Sequence, residues 1–157
     1  VVPIYLRPAI IAVKTGNPRR IQRFEDLLQP GIRIVVTEGS GIANTSGTGT
    51  WEDIAGRLGN LEDVKRFRRN IVAFSSGSGA SFKAFKELDV DAWITWPEWV
   101  VDNPNVLRAI PISSDRTIWR DLNMALSTSA DPQAASFLRF LVSNEAQKLM
   151  GRAGYMR

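Results

Sequence analysis

Between a predicted strand and a predicted helix lies the stretch Thr37-Glu-Gly-Ser-Gly-Ile-Ala-Asn-Thr-Ser-Gly-Thr-Gly-Thr50. Residues 32–36 before it are rich in β-branched side chains, and apolar residues recur at helical spacing after it. Glycine lets a backbone turn tightly and come close to a ligand, while the start of a helix offers unpaired N–H groups and the positive end of its dipole. The stretch therefore predicts a strand–turn–helix unit that can hold an anion.

A second stretch of the same kind, Ser75-Ser-Gly-Ser-Gly-Ala-Ser81, also joins a strand-like run to a helical pattern. A further predicted strand, residues 92–96, ends at Trp96 before a proline. In open α/β sheets, ligands bind beyond the carboxyl ends of the strands, so we expect both turns and the Trp96 indole N–H at one end of the sheet. Two ordinary turns are the alternative, because Gly, Ser and Thr are common in turns without any ligand.

Strands and helices alternate along the chain, which predicts an α/β layer structure with a largely parallel sheet. Helices are predicted to begin at Asp131-Pro132, where a capping residue precedes proline, and at Ser143. Residues 122–126 are expected to form a buried strand. The helical residues that we expect to face inward include Trp51, Ile54, Ala55, Leu58, Phe82, Phe85, Leu88, Phe137 and Phe140.

The chain has 157 residues and a formal net charge of +4, with neither cysteine nor histidine. This composition excludes disulfides and thiolate chemistry, and it removes the commonest general base and the usual metal ligand. The densest basic run, residues 65–69, is interpreted as a solvated helix end, with a nucleic-acid module as the alternative. No signal peptide or membrane-spanning run is recognisable, and the abrupt apolar start indicates a piece of a longer protein.

An enzyme that uses the same glycine-rich turns for a phosphorylated substrate is the alternative function. It would need Asp53, Asp91 or Glu98 as a general base, or a metal ion. The sequence has no P-loop lysine and no complete dinucleotide-binding motif. The adjacent acids at 52–53 and 62–63 are typical of the first turn of a helix, where negative charge is favourable.

Several segments resemble one superfamily of proteins. The run Asn44-Thr-Ser-Gly-Thr-Gly-Thr-Trp-Glu-Asp-Ile-Ala-Gly-Arg57 resembles the Thr-Ser-Gly-Gly-x-x-Trp segment of sulfate-binding proteins of bacterial ABC importers. The runs Ser75-Ser-Gly-Ser-Gly-Ala-Ser81 and Asp91-Ala-Trp-Ile-Thr-Trp-Pro-Glu98 resemble that family's Ser-Gly-Ala-Arg-Gly and Asp-Val-Leu-x-x-Trp-Glu segments. The ending, which contains Ser143-Asn-Glu-Ala-Gln-Lys-Leu-Met150, is similar to the close of type 2 periplasmic binding proteins. Within that superfamily, the first run most resembles accessory colonisation factor C-type proteins.

The resemblance implies a three-layer periplasmic-binding-protein type 2 lobe, with a mostly parallel mixed sheet and helices on both faces. Residues 1–112 would form the ligand-binding second lobe with its hinge strands. Residues 113–157 would form a C-terminal segment that packs back on a first lobe that the chain lacks. The family's ligand-binding positions carry over to Ser46, Gly47, Thr48, Gly77, Ser78 and Trp96. Ser78 stands where the family has arginine and Thr48 where it has a second glycine, so the identity of the ligand is open.

The function that the resemblance implies is that of the solute-binding component of an ABC importer. The protein would bind sulfate, molybdate or a carboxylate in a cleft between two lobes. Its partners would be a membrane permease and the missing N-terminal lobe, with no nucleic acid. We expect a periplasmic protein that is not an enzyme and that has no catalytic residue, metal or cofactor.

Overall fold

The computed structural model describes residues 2–38 and 49–157. The chain divides into two compact units, of which the larger is Ala9–Ile118 and the smaller combines the residues up to Pro8 with Trp119–Arg157. The elements, in chain order, are β1 (Val2–Pro8), β2 (Ile10–Lys14), a 3-10 helix (Phe24–Leu28), β3 (Ile34–Thr37), α1 (Thr50–Ala55), α2 (Leu61–Asn70), β4 (Ile71–Ser75), α3 (Ser78–Glu87), β5 (Ala92–Thr95), α4 (Pro97–Asp102), β6 (Leu107–Pro111), β7 (Trp119–Met124), α5 (Pro132–Leu141) and α6 (Asn144–Arg152).

The larger unit is built on a five-stranded sheet with the order β4-β3-β5-β2-β6. Strand β3 runs parallel to both β4 and β5, while β2 is antiparallel to both β5 and β6. One strand, β2, thus runs against the other four. The predicted α/β class with a mostly parallel mixed sheet is confirmed.

Helices cover both faces of this sheet because its central strands are apolar on both sides. Successive side chains of a strand point to opposite faces, so Ile34 and Val36 of β3 lie in one core cluster and Val35 lies in the other. The first cluster includes side chains of α1, α2 and the 3-10 helix, and the second is packed by α3 and α4. The three-layer arrangement follows from this alternation.

Two helices of the larger unit end earlier than their apolar spacing predicts. The prediction that Leu58 and Leu88 face inward is wrong, since they are 51% and 43% exposed. Helix α1 gives way to a turn at Gly56, and α3 ends at Glu87 with Leu88 in an extended conformation. Helical spacing no longer decides which way a side chain points once the helix has ended.

Helix α4 is an element that the sequence analysis did not predict. Strand β5 ends before Pro97, as the sequence analysis expected, and Pro97 is also the first residue of α4. Proline is favoured there because its missing N–H would have no partner in the helix anyway. The residue before it, Trp96, is the N-cap and adopts the extended conformation that proline imposes on its predecessor.

The smaller unit pairs β1 with β7 in an antiparallel ribbon. Leu6 and Met156 exchange two backbone hydrogen bonds of 2.7 Å, which join the end of the chain to β1. Both predicted helix starts are confirmed, because the Asp131 side chain accepts a hydrogen bond from the Gln133 N–H and the Ser143 side chain accepts one from the Ala146 N–H.

The predicted burial in the smaller unit is wrong. Phe137 and Phe140 of α5 are exposed, Phe137 by 58%, and no residue of α5 is buried against the described parts of the chain. Residues 122–126 do not form a buried strand either, because β7 spans Trp119–Met124 and none of its residues is buried. Apolar spacing shows which side of a helix or strand is suited to burial. It does not show whether another element packs against that side.

Candidate functional site

The carboxyl ends of three parallel strands meet at one end of the sheet. Strands β3, β4 and β5 finish there at Thr37, Ser75 and Thr95. The backbone N–H of Glu38 donates to the Ser75 carbonyl at 2.8 Å, which holds the chain leaving β3 against the end of β4. Ligands of open α/β sheets bind beyond this end of the strands.

A cavity of about 80 Å³ lies at this end of the sheet. That volume has room for roughly three water molecules, or for one small charged group of a ligand. Glu38 is the one charged side chain among its described lining residues, and the others offer hydroxyl groups, an indole or apolar surface. The described lining comprises Val36, Thr37, Glu38, Thr50, Trp51, Ser78, Ile94, Thr95 and Trp96.

The amino end of α3 lies beside this cavity. Gly77 is the N-cap in an extended conformation, and Ser78 begins a helix of ten residues. The first backbone N–H of α3 that bonds within the helix is that of Ser81, which donates to the Gly77 carbonyl at 2.9 Å. The N–H groups before it have no acceptor within the helix and carry the positive end of its dipole. A Cβ atom at Gly77 or Gly79 would meet nothing within 4 Å, so the backbone here faces open space.

Two hydroxyl groups fix the first turn of α3 against β3. The buried Ser81 hydroxyl donates to the Gly77 carbonyl at 3.0 Å and lies 2.8 Å from the Thr37 hydroxyl. Because Ser81 has one hydroxyl hydrogen, Thr37 is the donor in their shared bond. The amino end of the helix is therefore held in place next to the end of the strand.

Trp96 directly follows the last residue of β5 and lines the cavity. Its indole is partly buried against the larger core cluster, and its backbone is the N-cap of α4. The neighbouring tryptophans have a packing role: Trp93 is fully buried, and its ring makes an edge-to-face contact with Trp99, with centroids 5.3 Å apart.

The structure places the predicted ligand-binding residues unequally. Ser78 and Trp96 line the same cavity, and Gly77 caps the helix that begins at Ser78. The other predicted positions, Ser46, Gly47 and Thr48, lie outside the described residues. The assignment of all six residues to a ligand site stays a prediction.

Thr95 is a lining residue that the sequence analysis did not select. It is the last residue of β5 and is 4% exposed, and its hydroxyl group has no hydrogen-bond partner among the described residues. The signal in the sequence was a single hydroxyl residue that ends the otherwise apolar run Ala92-Trp-Ile. That signal is weak, because threonine is common in strands whether or not it contacts a ligand.

Arg116 is a second residue that the sequence analysis did not select. The side chain is 3% exposed and forms ion pairs with Asp63 of α2 and, at 3.4 Å, with Glu25 of the 3-10 helix. Its Nη1 donates to the carbonyls of Ile54 and Ala55, both at 3.3 Å. Arg116 thus holds the carboxyl end of α1, the helix whose first residues, Thr50 and Trp51, line the cavity.

Asp91, one of the three acids that an enzyme could use as a general base, is engaged elsewhere. It immediately precedes β5, at the opposite end of the sheet from the cavity. One carboxylate oxygen accepts the Arg33 backbone N–H at 2.9 Å, and the other forms a 3.1 Å bond with the Arg19 side chain. Asp91 is therefore a structural residue that joins two segments at the amino end of the sheet.

Neither a metal cluster nor a membrane helix is found in residues 2–38 and 49–157. These residues contain no group of three acidic, histidine or cysteine side chains that could hold a metal ion. None of their helices has the length and apolar character that crossing a membrane requires.

The chain belongs to the bacterial extracellular solute-binding proteins, whose family pattern matches residues 1–156. Peb3 from Campylobacter jejuni is similar over 99% of this chain and 67% of its own, at 39% identity and a TM-score of 0.87. PEB3 with bound L-phospholactate is similar over the same shares of the two chains, at 40% identity and a TM-score of 0.90. The resemblance found in the sequence is confirmed.

More distant structures share the fold. The sulfate-binding protein SubI from Mycobacterium tuberculosis is 17% identical over 98% of this chain and 57% of its own, with a TM-score of 0.73. The substrate-binding domain of a molybdenum ABC transporter from Clostridium difficile is 14% identical over 99% of this chain and 65% of its own, with a TM-score of 0.68. Among curated protein sequences, none matches.

Proposed function

We propose that this protein is the solute-binding component of an ABC importer, and that it binds a small anion at the carboxyl end of the sheet. The observation that carries the proposal is the cavity where the amino end of α3, Ser78 and Trp96 come together. Its described lining offers neutral donors and no cation, which suits an anion that must be bound and later released.

Binding replaces the water around the anion with donors of the protein. The first-turn N–H groups of α3 and the hydroxyl of Ser78 supply charge-assisted hydrogen bonds, and the Trp96 indole supplies a further donor. The turn at Ser46, Gly47 and Thr48 is proposed to complete this part of the site. Sulfate, molybdate and small carboxylates are candidate ligands, and L-phospholactate joins them because PEB3 has been crystallised with it.

A further lobe is proposed to close over the anion and complete the site. The smaller unit has apolar surface that suits such a neighbour: an apolar groove of about 640 Å³ lies along β1, and Phe137 is exposed on α5. A surface of this kind is uncommon on a protein without a partner. A ligand that contacts both lobes would stabilise the closed form. A membrane permease would then recognise that closed form in the periplasm.

The proposal is tested by calorimetric titration of the full-length protein with sulfate, molybdate, citrate and L-phospholactate. We expect heat of binding and a raised unfolding temperature for at least one of them. Trp96→Phe removes the indole N–H and should weaken that binding. Trp99→Phe on α4, which packs against Trp93 and is not among the described lining residues of the cavity, is the matched control that should not. If no anion gives heat or a shift in unfolding temperature, the proposal is wrong.

A further inference from the structure

The hydroxyl of Thr95 is an exception among the buried hydroxyl groups of the larger unit. It has no hydrogen-bond partner in the described residues and its oxygen is sealed from solvent. The buried Thr117 hydroxyl, by contrast, donates to the carbonyls of Ile112 and Ser113, both at 2.9 Å. Thr37 and Ser81 satisfy each other. Among the described residues, Thr95 is the buried threonine whose hydroxyl lacks a partner, and it lines the cavity.

An unsatisfied buried hydroxyl lowers the stability of the folded state, because its hydrogen bonds to water are lost without replacement. Valine has the same shape and would avoid that cost in a strand that is otherwise apolar. Buried polar groups without partners are rare and call for an explanation in terms of function. At Thr95, a group that enters the cavity would supply the missing partner.

We propose that Thr95 is a ligand-binding residue whose hydroxyl donates to one oxygen of the anion in the cavity. Ser78, at the amino end of α3, lines the same cavity, so the anion would receive donors from two independent elements. Rotation of about 120° about the Cα–Cβ bond moves the hydroxyl of a threonine to another staggered position, and in the liganded protein the Thr95 hydroxyl would take the position that faces the cavity this residue lines. The assignment rests on the function proposed above.

The experiment compares Thr95→Val and Thr95→Ser with the matched control Thr117→Val in the full-length protein. Urea unfolding without ligand measures stability. Calorimetry measures affinity for whichever of sulfate, molybdate, citrate and L-phospholactate the unmodified protein binds best. Thr95→Val should unfold at the same or a higher urea concentration and bind about tenfold more weakly or worse, because a hydrogen bond to a charged group is lost.

The other two variants should behave differently. Thr95→Ser retains the hydroxyl and should bind within about threefold of the unmodified protein. Thr117→Val should unfold at a lower urea concentration and keep its affinity, because the Thr117 hydroxyl is already bonded within the chain.

Two results would overturn the ligand-binding role of Thr95 without affecting the proposed function. One is unchanged affinity in Thr95→Val, and the other is a loss of stability in Thr95→Val as large as that in Thr117→Val, which would mean that the Thr95 hydroxyl is already satisfied. If the unmodified protein binds none of the four anions, the proposed function fails and the assignment fails with it.

Discussion

The Thr37 hydroxyl donates a hydrogen bond of 2.8 Å to the Ser81 hydroxyl, and the Ser81 hydroxyl donates one of 3.0 Å to the Gly77 carbonyl. These bonds connect the carboxyl end of β3 to the amino end of α3. Because β3 and α3 both contribute to the lining of the cavity, the Thr37–Ser81 hydrogen bond determines the distance between two parts of the candidate site.

Replacing the buried Ser81 by alanine should destabilise the larger unit by about 1–2 kcal/mol, because the partly buried Thr37 hydroxyl loses its acceptor and the bond to the Gly77 carbonyl is lost. Urea unfolding measures the change, and the exposed Ser76→Ala is the control that should stay within about 0.5 kcal/mol of the unmodified protein. Equal stability of the two variants would show that the Thr37–Ser81 bond contributes nothing to folding.

Arg116→Met should be more destabilising than Ser81→Ala, by about 3 kcal/mol in total, because it leaves the partly buried Asp63 without its cation. The stability of Arg116→Lys should lie between that of the unmodified protein and that of Arg116→Met, since lysine keeps the charge but cannot reproduce the donor geometry of the guanidinium. The control is Lys65→Met, whose exposed 2.8 Å pair with Glu62 should be worth less than about 1 kcal/mol. A loss no larger in Arg116→Met than in this control would contradict the role given to Arg116.

Glu38→Gln should strengthen anion binding by roughly two- to fivefold, because it removes a negative charge from the lining of the cavity. The gain should shrink as salt is added, since salt screens the repulsion. Glu87→Gln, at the opposite end of α3, is the control that should leave affinity unchanged. Weaker binding in Glu38→Gln would indicate instead that this carboxylate accepts a hydrogen bond from a group on the ligand.

The exposed pair of Lys14 and Asp89 predicts a small dependence of stability on pH. The 3.0 Å hydrogen bond from Lys14, together with its charge, lowers the pKa of the Asp89 carboxyl below its usual value. A carboxyl whose pKa is lower in the folded than in the unfolded state adds stability above the unfolded pKa of about 3.9 and loses it as the pH falls through the folded pKa.

Asp89→Asn should therefore be less stable than the unmodified protein near neutral pH, and the difference should narrow as the pH is lowered into that acidic range. In a Lys14→Met background, the same substitution should show little of this pH dependence. Unfolding curves at several pH values and low salt provide the measurement. A difference that stays constant across the range would exclude the Lys14–Asp89 pair as its source.

The sequence by itself determined the elements whose signals are local. Strand–turn–helix order, helix starts at capping residues such as Asp131 and Ser143, and the apolar alternation of β3 depend on residues a few positions apart. The same local signals carried the family resemblance, which proved correct. They also placed Ser78 and Trp96 at strand ends that meet at one cavity.

Only the tertiary structure decided which groups are buried and what they contact. The exposed side chains of Leu58 and Phe137 satisfy the same spacing rules as buried ones, and they differ in what packs against them. Arg116 matters because its hydrogen-bond partners lie on distant parts of the chain. Thr95 matters because its buried hydroxyl has no partner among the described residues. Burial and hydrogen-bond satisfaction are properties of a three-dimensional neighbourhood, so periodicity and turn chemistry do not reveal them.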